Sequence, residues 1–173
     1  MHIRLARESD VAAIARVHVD TWRTTYAGLI PDELLARLNY ERRESQWRSV
    51  LSNPDSTEWV YVAEVGDGQI VGFVSGGPER SGDAEYKGEL YAIYLLAASQ
   101  GKGLGRALTR AHIQRQLEAG FTSMLVWVLA ENPSCAFYEA LSGQPVREKQ
   151  EAVGDTILKE VGYGWTDIRD LAV

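Results

Sequence analysis

The residues best suited to chemistry stand in one short segment, QGKGLGR at positions 100–106. An apolar run at residues 90–98 precedes this segment, and apolar residues at helical spacing follow it as far as Gly120. A glycine-rich turn between a strand and a helix leaves N–H groups of the first helical turn unpaired, and the helix dipole adds partial positive charge there. The segment therefore predicts an anion site, with Lys102 and Arg106 supplying further positive charge.

Two common phosphate motifs do not match this segment. The P-loop pattern is absent because Lys102 is followed by Gly103 and not by a hydroxyl residue. The dinucleotide fingerprint fails because its third glycine would fall at Arg106. The pattern that does match is Q-x-x-G-x-G, formed by Gln100, Gly103 and Gly105.

The elements that position this turn can be read from periodicity and turn residues. Strands are predicted at residues 2–6, 59–65, 69–76, 90–98 and 122–129, with two more in 144–165 around Gly154-Asp155. Helices are predicted at residues 11–26 with Ser9 or Asp10 as cap, at 31–51 from Pro31, at 104–119, and at 133–142. The 122–129 strand is expected to run parallel to the 90–98 strand through a right-handed crossover. We therefore expect one α/β domain over residues 1–173, with a mixed central sheet of about seven strands and about four flanking helices.

Composition excludes several classes of function. A net charge of −6 offers no basic stripe for nucleic acid. The single cysteine, Cys135, excludes an internal disulfide and is interpreted as a small core residue, and the three histidines show no metal-ligand spacing. The N-terminus is charged and lacks the apolar core of a signal peptide. We therefore expect a cytoplasmic protein with no metal, membrane or nucleic-acid partner, and the sequence leaves open a homodimer.

A second segment follows the 122–129 strand. Asn132 and Pro133 are suited to begin a helix, and Tyr138 falls in its second turn. Together with the Q-x-x-G-x-G turn, this element resembles the GNAT superfamily of N-acetyltransferases, over about residues 3–165. The resemblance implies transfer of an acetyl group from acetyl-CoA to a small-molecule or peptide amine, without a covalent enzyme intermediate. It also implies that Tyr138 is the general acid that protonates the departing CoA thiolate.

The resemblance also implies further site residues. A distortion of the central strand would free the Leu95 N–H for the thioester oxyanion, while Ile93 would face the pantetheine amides. The attacking amine must lose a proton, so a carboxylate or a water chain is needed, and Glu89 is the first candidate, with Glu85 second. The acetyl-CoA contacts implied by the resemblance are Ile93, Leu95, Gln100, Gly101, Lys102, Gly103, Gly105, Arg106 and Asn132.

Two rival functions stay open on the sequence alone. One is a catalytically silent acyl-CoA-binding module that senses or regulates, and the other is a nucleotide-binding domain that uses the same turn. The identity of the acceptor is not visible in the sequence. Aromatic and apolar residues near the join of the first two helices are interpreted as packing groups, and the nearby arginine as solvated. These residues are Trp22, Arg23, Tyr26 and Leu29.

Overall fold

Seven strands build one mixed sheet in the computed structural model, which describes residues 1–153 and 155–172. The strands are β1 His2–Leu5, β2 Trp59–Val65, β3 Gln69–Pro78, β4 Gly88–Leu95, β5 Met124–Leu129, β6 Gln144–Val153 and β7 Thr156–Trp165. Their order across the sheet is β1-β2-β3-β4-β5-β7-β6, and every neighbouring pair is antiparallel except β4 and β5. The predicted α/β fold with a mixed seven-stranded sheet is confirmed. Gly154, at the predicted turn between the last two strands, lies outside the described residues.

The described residues contain five α-helices, one more than predicted. They are α1 Val11–Thr25, α2 Asp32–Ala36, α3 Tyr40–Leu51, α4 Leu104–Glu118 and α5 Cys135–Glu139. The extra helix arises because the predicted 31–51 helix is broken. Pro31 stands just outside α2, and the side chain of Asn39 accepts a hydrogen bond from the Arg42 N–H at 3.1 Å. Such a cap begins a new helix, so α2 and α3 are separate.

The sheet is covered on both faces. Consecutive side chains of a strand point to opposite faces, and Phe73 and Val74 of β3 belong to two different buried clusters. Phe73 packs in a cluster with Ile14 of α1 and Trp47 of α3, whereas Val74 shares the other cluster with Leu108 of α4. The helix that follows the glycine-rich turn therefore packs on the face opposite α1 and α3.

The strand before the glycine-rich turn is shorter than predicted. It ends at Leu95, and the last residues of the predicted strand enter a 3₁₀ turn at Ala97–Ser99. The strand was also expected to be buried on both faces, but only its first residues are buried and residues 91–95 are half-exposed. The reason is that its neighbour β5 pairs with it over three positions only, from Gly88 opposite Met124 to Leu90 opposite Val126.

A β-bulge marks the place where β4 and β5 separate. In the β3–β4 register Ser75 lies opposite Ala92, whereas the next residue, Gly76, lies opposite Leu90, so Tyr91 is the extra residue. A bulge bends its strand and increases the local twist. The second half of β4 therefore diverges from β5, and an open gap forms between two parallel strands.

Candidate active site

The gap between β4 and β5 opens into a cleft of about 500 Å³. Both strands, the glycine-rich turn, the segment before α5 and the end of α1 contribute to its wall. The lining residues are Thr21, Thr25, Tyr26, Tyr91, Ala92, Ile93, Tyr94, Leu95, Gln100, Gly101, Gly103, Gly105, Arg106, Val126, Trp127, Val128, Asn132, Pro133, Ser134, Phe137 and Tyr138. The cleft therefore brings the turn and the α5 segment, which are far apart in the sequence, to one site.

The backbone of β4 directs polar groups into this cleft. The N–H of Leu96 donates to the carbonyl of Val71 on the β3 side at 2.9 Å. Alternate residues of an antiparallel strand point their N–H groups to opposite sides, so those of Ile93 and Leu95 point toward β5. The β4–β5 pairing has already ended at Leu90, so these two N–H groups have no strand partner within the described residues. They form a free backbone edge along the cleft.

The glycine-rich turn has the conformation of an anion site. Gly101 and Gly103 adopt left-handed φ values of 70° and 81°, which glycine tolerates better than other residues. Gly103 is the N-cap of α4 and supplies no side-chain cap, so the first helical N–H groups are available to a ligand. Gly105 has a different role, because a Cβ there would lie 3.1 Å from the Phe137 ring. Its small size lets α4 pack against the α5 segment.

The charged and polar side chains of the turn form hydrogen bonds with backbone carbonyls of the same chain. The amide of Gln100 donates to the Leu95 carbonyl at 3.0 Å, which ties the turn to the end of β4. The ammonium of Lys102 donates to the Ala98 carbonyl at 2.7 Å, and Lys102 does not line the cleft. Arg106 does line it, and its guanidinium donates to the Ala140 carbonyl at 3.1 Å. Backbone groups therefore dominate the polar surface of this end of the cleft.

Asn132 and the helix after it differ from the prediction. Helix α5 begins at Cys135, not directly after Asn132, and it is only five residues long. The side chain of Asn132 accepts a hydrogen bond from the Ser134 N–H at 2.8 Å, which stabilises a turn ahead of the helix. Asn132 is therefore not the N-cap of α5. It is buried and lines the cleft.

Tyr138 lies on α5 with its side chain buried, and only 6% of the residue is exposed. It lines the cleft, and its ring packs 5.4 Å from Phe137, 5.9 Å from Tyr163 and 6.5 Å from Trp165. Burial raises the pKa of the Tyr138 phenol well above its usual value. The phenol therefore keeps its proton at neutral and mildly alkaline pH.

The two candidate carboxylates lie in different surroundings. Glu89 is buried at the start of β4, beside the bulge, and its carboxylate accepts hydrogen bonds from the guanidinium and the backbone N–H of Arg80. Glu89 does not line the cleft, but the Arg80 guanidinium lies 3.6 Å above the ring of Tyr91, which does. Glu85 is exposed and pairs with Arg147 at 3.2 Å. Glu89 is thus the nearer of the two to the cleft.

Sequence reasoning missed one wall of the cleft. Thr21 and Thr25 of α1 line it together with Tyr26, which directly follows the helix and was interpreted as a packing residue. Its ring does pack, 4.7 Å from that of Trp22, but it also borders the cleft, and burial raises its pKa. No short motif marks these residues, and only the geometry of the folded helix brings them to the site. Arg23 is exposed, as expected, and donates to the Leu38 carbonyl at 2.9 Å.

The described part of the chain contains neither a metal-binding cluster nor a membrane-spanning helix. Within residues 1–153 and 155–172, no group of three or more His, Cys, Asp or Glu side chains could hold a metal ion. In the same part of the chain, no helix is long and apolar enough to cross a membrane. Cys135 is half-buried, with its Sγ 3.6 Å from the Leu129 carbonyl. Of the side chains that the sequence predicted for the site, those of Gln100, Arg106, Asn132 and Tyr138 belong to residues that line the gap between β4 and β5.

The comparisons with known proteins agree on one family. The profile of the acetyltransferase (GNAT) family matches residues 8–143. An uncharacterized N-acetyltransferase of Bacillus subtilis (strain 168), YuaI, is 46% identical over 98% of this chain and 95% of its own. A ribosomal-protein-alanine N-acetyltransferase from Brucella melitensis has a similar structure, with a TM-score of 0.73, 26% identity, and coverage of 95% of this chain and 99% of its own. The structure of yncA from Salmonella typhimurium, a putative acetyltransferase with its cofactor acetyl-CoA, matches with a TM-score of 0.69, 25% identity, and coverage of 95% and 92%.

Proposed function

The chain belongs to the GNAT family of acetyltransferases, and from this premise we propose that it transfers an acetyl group from acetyl-CoA to a primary amine. One observation carries the proposal. A single cleft is lined by the N-terminal turn of α4, the unpaired backbone edge of β4 and Tyr138. An anion site, a free strand edge and a proton donor are what the pyrophosphate, the pantetheine arm and the thioester of acetyl-CoA respectively require.

The residues of the cleft fit this cosubstrate. The turn with Gly101 and Gly103 offers backbone N–H groups to the pyrophosphate at the positive end of the α4 dipole. Arg106 adds a charge beside it. Ile93 offers its backbone N–H and carbonyl groups to the pantetheine amides, as a neighbouring strand would, and Leu95 lines the same wall. Gln100 and Asn132 contribute to the same walls.

The chemistry then needs three groups around the thioester. The neutral amine attacks the thioester carbonyl, a C–N bond forms, and the C–S bond breaks. The Leu95 N–H stabilises the negative charge that develops on the carbonyl oxygen. Tyr138 gives its proton to the departing sulfur, and its raised pKa keeps that proton available at the pH where the amine is neutral. No enzyme nucleophile takes part, so transfer is direct and both substrates are bound together.

The proton that the amine loses must also be accepted. We assign it to Glu89 through water, because this buried carboxylate is bound by Arg80, whose guanidinium lies 3.6 Å above the ring of Tyr91 in the cleft wall. Arg80 holds the Glu89 carboxylate in place through both its guanidinium and its backbone N–H. A carboxylate held behind the cleft wall can accept the proton through water without contacting the amine itself.

Two measurements test the proposed function. Acetyl-CoA and CoA should raise the thermal midpoint, whereas ATP and NAD should not, because a ligand that binds the native state stabilises it. Incubation with acetyl-CoA and a panel of amines should then release free thiol in proportion to acetylated product. Stabilisation by acetyl-CoA without thiol release on any amine would indicate a silent acyl-CoA-binding module. Stabilisation by ATP or NAD alone would indicate a nucleotide-binding domain.

A further inference from the structure

Two polar side chains of α4, those of His112 and Gln116, are completely buried, and both residues are 0% exposed. They stand four positions apart, and therefore on one face of the helix. The neighbouring positions Leu108 and Ile113 of α4 belong to the apolar cluster on this face of the sheet. Burial of a polar side chain costs free energy unless it forms hydrogen bonds, and apolar residues would serve packing better. This pair therefore indicates a role that depends on hydrogen bonding.

Two glycines make room for the pair beside the β-bulge. A Cβ at Gly76 of β3 would overlap both the His112 ring and the carbonyl oxygen of Glu89. A Cβ at Gly88 of β4 would overlap the side-chain amide of Gln116. Gly76 is also the residue of β3 at which the register with β4 shifts. The lack of a side chain at these two positions therefore lets α4 contact the backbone of the sheet at the bulge.

The pair binds the backbone carbonyl of Glu89. Nε2 of Gln116 donates to this carbonyl at 3.4 Å and lies 2.9 Å from Nε2 of His112. An amide nitrogen can only donate, so Nε2 of His112 accepts and the proton of the neutral ring is on Nδ1. Burial lowers the pKa of His112 to about 4, with the nearby backbone of Glu89 acting in the opposite direction, so the ring is neutral at pH 7. His112 thus orients the amide that binds Glu89.

Glu89 is held from both faces of the sheet. The next residue, Leu90, shares the apolar cluster with Leu108 of α4, so the Glu89 side chain points to the opposite face. On that face Arg80 donates to its carboxylate from the guanidinium at 2.7 Å and from the backbone N–H at 3.0 Å. A bulge disrupts the regular ladder of a strand. The hydrogen bond from Gln116 therefore fixes the backbone from which the carboxylate extends.

We propose that Gln116, oriented by His112, is a positioning residue for acetyl transfer, because it holds the Glu89 carboxylate where it accepts the proton of the amine. This inference rests on the proposed function and adds to it two residues that do not line the cleft. It also gives α4 two roles. The first turn of the helix binds the pyrophosphate, and its last turn holds the strand that carries the proton acceptor.

A double-mutant cycle with Glu89 tests this role, because residues that act as a unit have non-additive effects. Gln116→Met nearly preserves the side-chain length and removes the donor. With enzyme in excess over acetyl-CoA and the best amine of the panel, single-turnover transfer should be slower by about 10- to 100-fold, the cost of displacing a reacting group. Acetyl-CoA affinity should stay within about twofold, because the interaction acts on the chemical step. In Glu89→Gln the same substitution should slow transfer by less than about twofold.

Control variants come from the same helix. Thr109 is also buried on α4, and its hydroxyl has no hydrogen-bond partner within the described residues, so Thr109→Val should keep the parent rate with and without Glu89. His112→Leu should slow transfer as Gln116→Met does. His112→Gln should retain most of the rate, because its amide oxygen can accept from Gln116. The two His112 variants provide the same comparison if Gln116→Met does not fold.

The possible results separate this inference from the proposed function. A wild-type rate in Gln116→Met, or an equal loss with and without the Glu89 carboxylate, would overturn the inference, because packing alone would then explain the pair. A wild-type rate in Glu89→Gln would also overturn it and leave acetyl transfer intact. Absence of thiol release from the wild-type chain with every amine would contradict the proposed function, and the inference with it. A loss confined to the chain that retains Glu89 supports the positioning role.

Discussion

Leu90 of β4 lies opposite Val126 of β5 in the last parallel pair between these two strands. The next residue of β4, Tyr91, is the extra residue of the β-bulge, and beyond it the strands diverge. The cleft exists because pairing stops at this position. The backbone of a central strand normally forms hydrogen bonds with neighbours on both sides. The unpaired edge of β4 is therefore suited to bind a ligand, and in the proposed function that ligand is the pantetheine arm.

The first prediction concerns the backbone of the phosphate turn. Gly103→Val should weaken acetyl-CoA binding by at least about tenfold, because a branched residue is strained at a φ of 81° and its side chain obstructs the approach of the phosphate. Lys102→Ala should have a smaller effect, because the Lys102 side chain is directed to the Ala98 carbonyl and does not line the cleft. Isothermal titration with acetyl-CoA measures both variants.

A matched control variant distinguishes the effect of backbone strain on stability from the effect of the substitution on acetyl-CoA binding. Gly82 has a similar φ of 79° in an exposed loop outside the cleft. Gly82→Val should therefore lower thermal stability about as much as Gly103→Val and leave acetyl-CoA affinity unchanged. If Lys102→Ala abolished binding while Gly103→Val bound normally, the side chain and not the backbone would hold the phosphate.

The second prediction concerns the base. Glu89→Gln keeps an acceptor for the Arg80 guanidinium but removes the basic carboxylate, so kcat should fall by about 10²–10⁴-fold while acetyl-CoA affinity is retained. Glu85→Gln is the control, because it removes an exposed carboxylate that pairs with Arg147, and its kcat should stay near the wild-type value. A wild-type kcat in Glu89→Gln over the whole pH range would exclude this carboxylate and leave water as the proton acceptor.

The third prediction concerns stability at acidic pH. Burial lowers the pKa of His18 to about 3 and that of His112 to about 4, so both rings stay neutral in the folded chain well below their unfolded pKa of about 6.5. Above that value neither state takes up a proton, and the two histidines have no effect. As pH falls below it, the unfolded chain binds protons that the folded chain does not. Stability should therefore be lost between pH 7 and pH 5, by about 2 kcal/mol for each histidine.

Urea unfolding at pH 7 and at pH 5 measures this loss. His112→Gln should reduce the difference in unfolding free energy between the two pH values by about half, whatever its effect on stability at pH 7. His2→Gln, at an exposed position, should leave the difference as it is in the wild type. A His112→Gln variant with the full wild-type difference would show that His112 is protonated equally in both states.

The sequence predicted the sheet and the phosphate turn because these features depend on local signals. Alternating apolar residues, positive-φ glycines and helix caps act over a few residues, and they identified the β2–β3 hairpin and the start of α4. The break between α2 and α3 was missed because Asn39 lies inside a helix-like pattern and acts as a cap only in the folded chain. The side of the cleft formed by Thr21, Thr25 and Tyr26 was missed for a different reason. These residues carry no motif, and their place in the cleft depends on the long-range approach of α1 to β4.

Tyr138 is the proposed proton donor to the thiolate during direct acetyl transfer, and single-turnover kinetics test this role without interference from product release. Tyr138→Phe removes one proton donor and keeps the ring packing, so the fold and acetyl-CoA affinity should be retained. Tyr163→Phe is the matched control, because its ring lies 5.9 Å from Tyr138, outside the cleft lining. With enzyme in excess over acetyl-CoA and a good acceptor present, we expect transfer in Tyr138→Phe to be slower by about 10²–10⁴-fold and transfer in Tyr163→Phe to be near the wild-type rate. A wild-type single-turnover rate in Tyr138→Phe would contradict this mechanism and make water the proton donor.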